Sequence, residues 1–174
     1  MFAIVSVLTA MAMNSFGGGS LVYFGTYTGA KSEGIYVSRF DSATGRLSAP
    51  ELAAEIQNPS FLAIHPNGHD LYACGEMSNG GVVSAFSLDP KTGRLVLLDK
   101  QNSGGGGPCH ISLDATGKCL LVANYGSGSI AALPVHPDGS LGEAAANIQH
   151  TGSSVNAGRQ AGPHAHFIVP SPDN

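Results

Sequence analysis

Charge is the scarcest commodity in this chain. Eight Lys and Arg and twelve Asp and Glu make up 11% of its 174 residues, less than half the usual quarter. The net charge is −4 and no basic run or stripe occurs, so the electrostatic footprint of a nucleic-acid binder is missing. The apolar share is an ordinary 43%, which sets the chain apart from disordered sequences, rich in charge and poor in apolar residues. Cysteine is limited to Cys74, Cys109 and Cys119, without C-x-x-C spacing. That supports neither a zinc knuckle nor a disulfide framework, and the three read as small buried hydrophobes. No Gly-x-Ser-x-Gly elbow occurs, which argues against an acyl-enzyme serine hydrolase. Gly104-Gly105-Gly106-Gly107 lacks the Gly-Lys-Ser/Thr ending of a phosphate-cradling loop and reads as a flexible connector. No apolar run is long enough to cross a bilayer as a helix; Met1 to Phe16 is apolar and uncharged but too short. It ends near Ala10-Met11-Ala12, a pattern of the kind cut by signal peptidase, yet has no basic start. A signal peptide whose start is lost and a leader with no address are both open readings. Residues 1–20 are thus expected to be a leader, with the folded part starting near Leu21.

What the chain has in quantity is turn formers. Gly (24) and Pro (10) together make about a fifth of it, against about an eighth on average. With so few Lys, Glu and Arg, this describes an all-β protein of short strands. Self-similarity refines the reading. Thr44-Gly45-Arg46-Leu47 recurs 48 residues later as Thr92-Gly93-Arg94-Leu95, and degraded, a further 46 on, as Asp138-Gly139-Ser140-Leu141. Each copy follows an alternating strand. Pro59 to Gly68 matches Pro108 to Gly117, 49 residues later, and Pro163 to Asp173 is a looser third copy. A period of this length holding four short strands is the signature of a β-propeller blade. The predicted strands are a (59–65, 108–114, 164–169), b (70–75, 118–124), c (81–88, 128–135) and d (94–100, 140–149). Leu21 to Tyr27 reads as a strand b with no strand a before it. About three blades are present, whereas a ring takes roughly four to eight, so the sequence is expected to be the N-terminal half of a longer protein. Three blades alone would expose raw blade faces and unpaired strand edges, which invites self-association.

Tyr23-Phe24-Gly25-Thr26-Tyr27-Thr28, Gly34-Ile35-Tyr36, the two Thr-Gly-Arg-Leu turns, Ala123-Asn124-Tyr125-Gly126-Ser127-Gly128-Ser129, and Arg159-Gln160 ahead of Gly162-Pro163-His164-Ala165-His166 form an ordered set. The set closely resembles the seven-bladed propeller lactonase family, over roughly Leu21 to Asn174. The resemblance implies a seven-bladed ring and lactone chemistry at its central pocket, with no cofactor required. It also implies that later blades carry part of that pocket, including the family's acidic residue, placed beyond Asn174. By family role the protein would be cytoplasmic; a truncated signal peptide would make it periplasmic or otherwise exported.

Topology places the chemistry independently. Consecutive loops of an up-and-down sheet alternate between two faces, so a–b and c–d turns share one and b–c and d–a loops share the other. The first face holds tight turns, where His65 and His136 read as polar turn residues. The second holds the longer loops, the usual place for binding and catalysis. There lie Arg159 and Gln160, the starts of strands bearing His110, His164 and His166, and the b–c residues Tyr27, Thr28, Glu76, Asn79, Asn124 and Tyr125. His164 and His166 are two apart and would face one side together.

Opening a lactone needs an activated water, support for the carbonyl oxyanion and a proton for the leaving alkoxide. Histidine can serve as base and then acid. Arginine offers a bidentate fork for an anionic group or an oxyanion. The expected catalytic residues are therefore His164, His166 and Arg159, with His110, Asn124, Tyr125, Glu76 and Gln160 binding substrate. Glu76 is a possible second base. A metal on the His164/His166 pair is disfavoured, because no carboxylate neighbours it. The expected activity is hydrolysis of a sugar lactone, with 6-phosphogluconolactone the best single guess. A muconate-type lactonising or ring-opening enzyme and a non-catalytic propeller used for binding are the alternatives.

Overall fold

A computed structural model describes residues 6–8 and 19–174. It shows three antiparallel sheets and, among the described residues, no helix long and apolar enough to cross a membrane. The first sheet contains β1 (Ser6–Leu8), β2 (Ser20–Gly25), β3 (Gly34–Asp41), β4 (Arg46–Leu47) and β5 (Glu51–Glu55). The second runs β6 (Pro59–Ile64), β7 (Asp70–Gly75), β8 (Val82–Leu88) and β9 (Leu95–Asn102), paired in that order. The third repeats it with β10 (Pro108–Leu113), β11 (Cys119–Asn124), β12 (Ser129–Pro134) and β13 (Ala146–Gln149). The second and third are the expected four-stranded blades; in the first, β4 and β5 both pair with β3 and share the place of the outer strand.

Three expectations need correction. First, the opening strand b does have an inner partner: Ser6–Leu8 pairs antiparallel with Tyr23–Gly25, where β6 and β10 sit in their own blades. Part of the segment read as a leader is thus strand; residues 1–5 and 9–18 of that reading lie outside the described residues. Second, the third strand d is regular only from Ala146. Leu141, with its side chain buried, sends its N–H to the Asp99 carboxylate of the neighbouring blade instead of to a ladder partner. Third, 164–169 is not a strand. β6 and β10 are each ordered by a ladder with the strand that follows them; among the described residues 164–169 has no such partner. The segment instead lies along β10, where Ser112 Oγ donates to Ile168 O at 2.7 Å.

The alternation of β7 shows how the blades are glued together. Leu71 and Ala73 pack with Tyr23, Ile35, Val37 and Phe86 between the first two blades. Tyr72 and Cys74 point the other way, into a second core with Ile111, Leu120, Val122 and Leu133. Successive strand side chains face opposite sides, so a strand covered on both faces is buried throughout, as β7 is. The repeated turns are built by an Asp. Asp41 accepts from Ala43 N and Thr44 Oγ1, Asp89 from Lys91 N and Thr92 Oγ1, and Gly45 and Gly93 close each turn at φ 71° and 78°. The Thr-Gly-Arg-Leu repeat is therefore turn chemistry, with glycine where a left-handed φ is required.

A buried tyrosine pins each blade to the next. Tyr23 Oη donates to Gly93 O at 2.9 Å and Tyr72 Oη to Gly139 O at 3.0 Å. Tyr72→Phe strands the buried Gly139 carbonyl, so it should lower unfolding free energy by about 1–3 kcal/mol in urea titration. An unchanged urea midpoint would mean that the carbonyl finds another partner.

Candidate functional site

The loops of the second face are assembled from a repeating junction. Tyr27, Glu76 and Tyr125 stand 49 residues apart, each near the end of the second strand of its blade. At the two inter-blade junctions, Asn58 and Gly107 adopt left-handed φ of 46° and 62° immediately before Pro59 and Pro108. Their carbonyls accept from Glu76 N at 3.0 Å and Tyr125 N at 2.8 Å. Residues 76 and 125 are therefore seated alike in successive blades, and Tyr27, 49 residues before Glu76, reaches it side chain to side chain on the same rim.

Gly104–Gly107 is not the flexible connector expected. Gly81 N donates to Gly105 O, Gly107 N to Met77 O and Ser127 N to Gly106 O, so the run is laced to loops of both neighbouring blades. A Cβ on Gly105 would lie 2.3 Å from Ser127 Oγ and 2.4 Å from Ser129 Oγ; glycine is there for close approach. Asn124 belongs to the same lacing. It is fully buried, and its amide donates to Ser103 O at 2.9 Å and Ser129 Oγ at 3.2 Å.

The histidines gather on Tyr125. The His164 ring stacks on its phenol ring at 4.4 Å between centroids and 16° between planes. His166 meets Tyr125 edge-on at 5.6 Å. His164 Nδ1 lies 2.9 Å from Tyr125 O. A carbonyl only accepts, so Nδ1 carries the hydrogen and the neutral ring keeps its lone pair on Nε2. His110 is set deeper, between Phe61 at 4.3 Å and Phe167 at 4.2 Å, and its Nδ1 accepts Ile168 N–H at 3.4 Å.

Burial first, and the nearby His166 second, push the His110 pKa below its ordinary value. The folded state thus disfavours a proton that the unfolded chain accepts near pH 6.5. This contribution to stability is intact above that pH and is lost as pH falls below it toward the folded value. Between pH 8 and 5.5 the unfolding midpoint should fall further for the native chain than for His110→Phe. Parallel profiles would show that His110 titrates as freely folded as unfolded.

Arg159 and Gln160 are exposed on the turn that begins at Asn156, before the histidine segment. Arg159 N and Gln160 N both donate to Asn156 O, and Gln160 Oε1 accepts Asn156 N–H at 3.2 Å. Gln160 therefore closes its own turn, while the Arg159 guanidinium forms no hydrogen bond with the described residues. The structure brings His110, Tyr125, His164 and His166 together and leaves Arg159 on the adjoining loop. Glu76 is paired with a residue outside the expected set: Tyr27 Oη donates to its Oε2 at 2.6 Å. The sequence places Tyr27 on this face without a role, and the 49-residue spacing of positions 27, 76 and 125 was the available signal for its pairing with Glu76. On the opposite face, His65 Nδ1 accepts Asn67 N–H and its Nε2 donates to Gly117 O at 3.0 Å, the structural role read from sequence. Among the described residues no group of three or more His, Cys, Asp or Glu is placed to hold a metal ion.

Comparison with known proteins places this architecture. Residues 21–174 match the family described as Lactonase, 7-bladed beta-propeller. A 6-phosphogluconolactonase of Bacillus subtilis is 38% identical over 152 residues, covering 87% of this chain and 43% of that protein. The crystal structure of a Bacteroides fragilis protein superposes with a TM-score of 0.85 at 36% identity, over 93% of this chain and 45% of that one. A periplasmic gluconolactonase of Pseudomonas aeruginosa superposes with a TM-score of 0.82 at 37% identity, over 88% and 45%. The chain thus spans under half the length of these relatives. With three blades of the same build and the match running over nearly all of its length, the chain belongs to the seven-bladed β-propeller lactonase family.

Proposed function

We propose that these blades form the first part of a seven-bladed ring that hydrolyses a sugar lactone, 6-phosphogluconolactone, at the mouth of its channel. The observation that carries the reading is the His164 ring. Its Nδ1–H is committed to the Tyr125 carbonyl and its Nε2 lone pair is left to accept a proton. In the proposed reaction, His164 Nε2 takes a proton from water as the oxygen bonds to the lactone carbonyl carbon. The resulting oxyanion is met by His166 or Arg159. The ring C–O bond then breaks, the alkoxide takes the proton back from His164, and the new carboxylic acid releases its proton to solvent and leaves as the hydroxy carboxylate. The Arg159 guanidinium has no hydrogen-bond partner among the described residues and suits the phosphate as a bidentate donor. His110 and Asn124 support the site from behind, fixing the histidine segment and the glycine-rich loop; Tyr125 is the platform for both imidazoles. The names of the Bacillus subtilis and Pseudomonas aeruginosa relatives support the substrate class.

The test is the rate of ring opening of 6-phosphogluconolactone and of unphosphorylated gluconolactone by the complete protein, against spontaneous hydrolysis. A rate well above the spontaneous one, higher with the phosphorylated substrate, is expected. A rate equal to the spontaneous one would make the protein a binding propeller.

A further inference from the structure

We propose that Tyr27 and Glu76 form the hydroxyl-binding arm of the site, with Tyr27 positioning the Glu76 carboxylate to accept hydrogen bonds from the polyol side of the substrate. The inference rests on the lactone reading above and deepens it.

Glu76 follows the last residue of β7 and Tyr27 stands two past the end of β2, so the pair bridges two blades. Position 125 of the third blade, seated like Glu76, carries the histidine platform. The bridge is stiffened from below by Asn58, held at φ 46° between the two loops. Its Oδ1 accepts from Thr28 N and Thr28 Oγ1, both at 3.0 Å. On the other side its Nδ2 donates to Glu76 O at 3.3 Å and its carbonyl accepts Glu76 N–H. The residue after Tyr27 and the backbone of Glu76 are thus tied to one side chain, and the 2.6 Å Tyr27–Glu76 contact is built on a fixed base.

The carboxylate is not neutralised. Among the described residues its one hydrogen bond is from Tyr27, and no Lys, Arg or His reaches it. Burial first, and the bond to Glu76 second, push the Tyr27 phenol above its ordinary range, so it remains a donor. An ionised carboxylate is acceptor-only. With Oε2 engaged, Oε1 and the remaining lone pairs are open to donors, and a sugar's hydroxyls are such donors. The negative charge repels a phosphate or carboxylate, which directs the anionic end of the substrate away from Glu76 and toward Arg159. The arrangement therefore assigns an orientation: hydroxyls on the first and second blades, anion and reacting carbonyl toward the third.

The test uses the complete protein, with Tyr27→Phe and Glu76→Gln, and two lactones: gluconolactone, which carries hydroxyls, and δ-valerolactone, which carries none. Each variant should raise KM for gluconolactone at least about fivefold, leave kcat within about twofold, and leave KM for δ-valerolactone unchanged. Thermal unfolding should be unchanged for Tyr27→Phe, whose ring is 52% exposed. Equal losses on both lactones would overturn the clamp in favour of a general structural role. Unchanged KM for gluconolactone in both variants would also overturn it. A wild-type protein with no turnover on any lactone overturns the catalytic reading itself, and the clamp with it.

Discussion

On the proposed reading, Arg159→Ala and His166→Ala should each lower lactone hydrolysis by the complete protein at least about tenfold, with the unfolding midpoint unchanged. The size follows from the roles. A positioned proton-transfer or oxyanion group contributes on the order of 10²–10⁴-fold, and tenfold is a floor that allows for partial replacement by water or by the other residue. The unchanged midpoint follows from the surroundings. Both side chains are exposed, and the Arg159 turn is held by backbone bonds to Asn156 and by Gln160, none of which passes through the guanidinium. His166 touches Tyr125 only edge-on. Kinetics on both lactones separates the two roles. Loss at Arg159 should be larger for the phosphorylated substrate, whereas loss at His166 should be equal for both. Unchanged rates in both variants would remove the third-blade rim from the chemistry.

Gly128→Ala should be the most damaging substitution that touches no substrate. Gly128 has φ +67°, and a Cβ there would stand 2.2 Å from Pro163 O. The left-handed backbone alone costs about 1–2 kcal/mol for a residue with a Cβ. The clash adds a displacement of Pro163, and with it of His164, which must leave its stack on Tyr125. Gly128 also receives His150 N–H on its carbonyl, so the loop that carries Arg159 starts from the same point. The expected result is a loss of kcat/KM at least as large as that of His166→Ala, together with a lowered urea midpoint. Gly45→Ala is the matched control. Its φ is +71°, but nothing lies within 4 Å of the added Cβ, so it should lower the midpoint and leave kcat/KM in place. Equal activities in the two variants would show that the seating of Pro163 does not matter.

The blade architecture was legible because each device in it recurs. Asp-x-x-Thr-Gly makes the same turn at Asp41 and Asp89, and alternating apolar residues feed the two inter-blade cores on either side of β7. What failed to show was the part without a repeat. Ser6–Leu8 is apolar like a leader and has no motif of its own; only its ladder with β2 makes it a strand. The 164–169 segment has strand-like residues but, among the described residues, lies along β10 without a ladder of its own. Within the candidate site, the Pro-His-Ala-His motif pointed to two histidines that the structure gathers on Tyr125. Residue type alone does not show burial: His110 and Asn124 are expected from sequence as substrate contacts, and the structure places both in buried positions, His110 between two phenylalanines and Asn124 bonded to the loop before the glycine run. Gly104–Gly107 looked loose because glycine's close approach to a neighbour and its freedom in a linker leave the same letters.

The most direct test of where the chemistry lies is a crystal structure of the complete protein soaked with 6-phosphogluconate, the product of the proposed reaction. Its carboxylate should sit within hydrogen-bond distance of His164 or His166, with the phosphate on Arg159 and hydroxyls on Glu76. Product bound on the opposite face, among the tight turns around His65 and His136, would contradict the account.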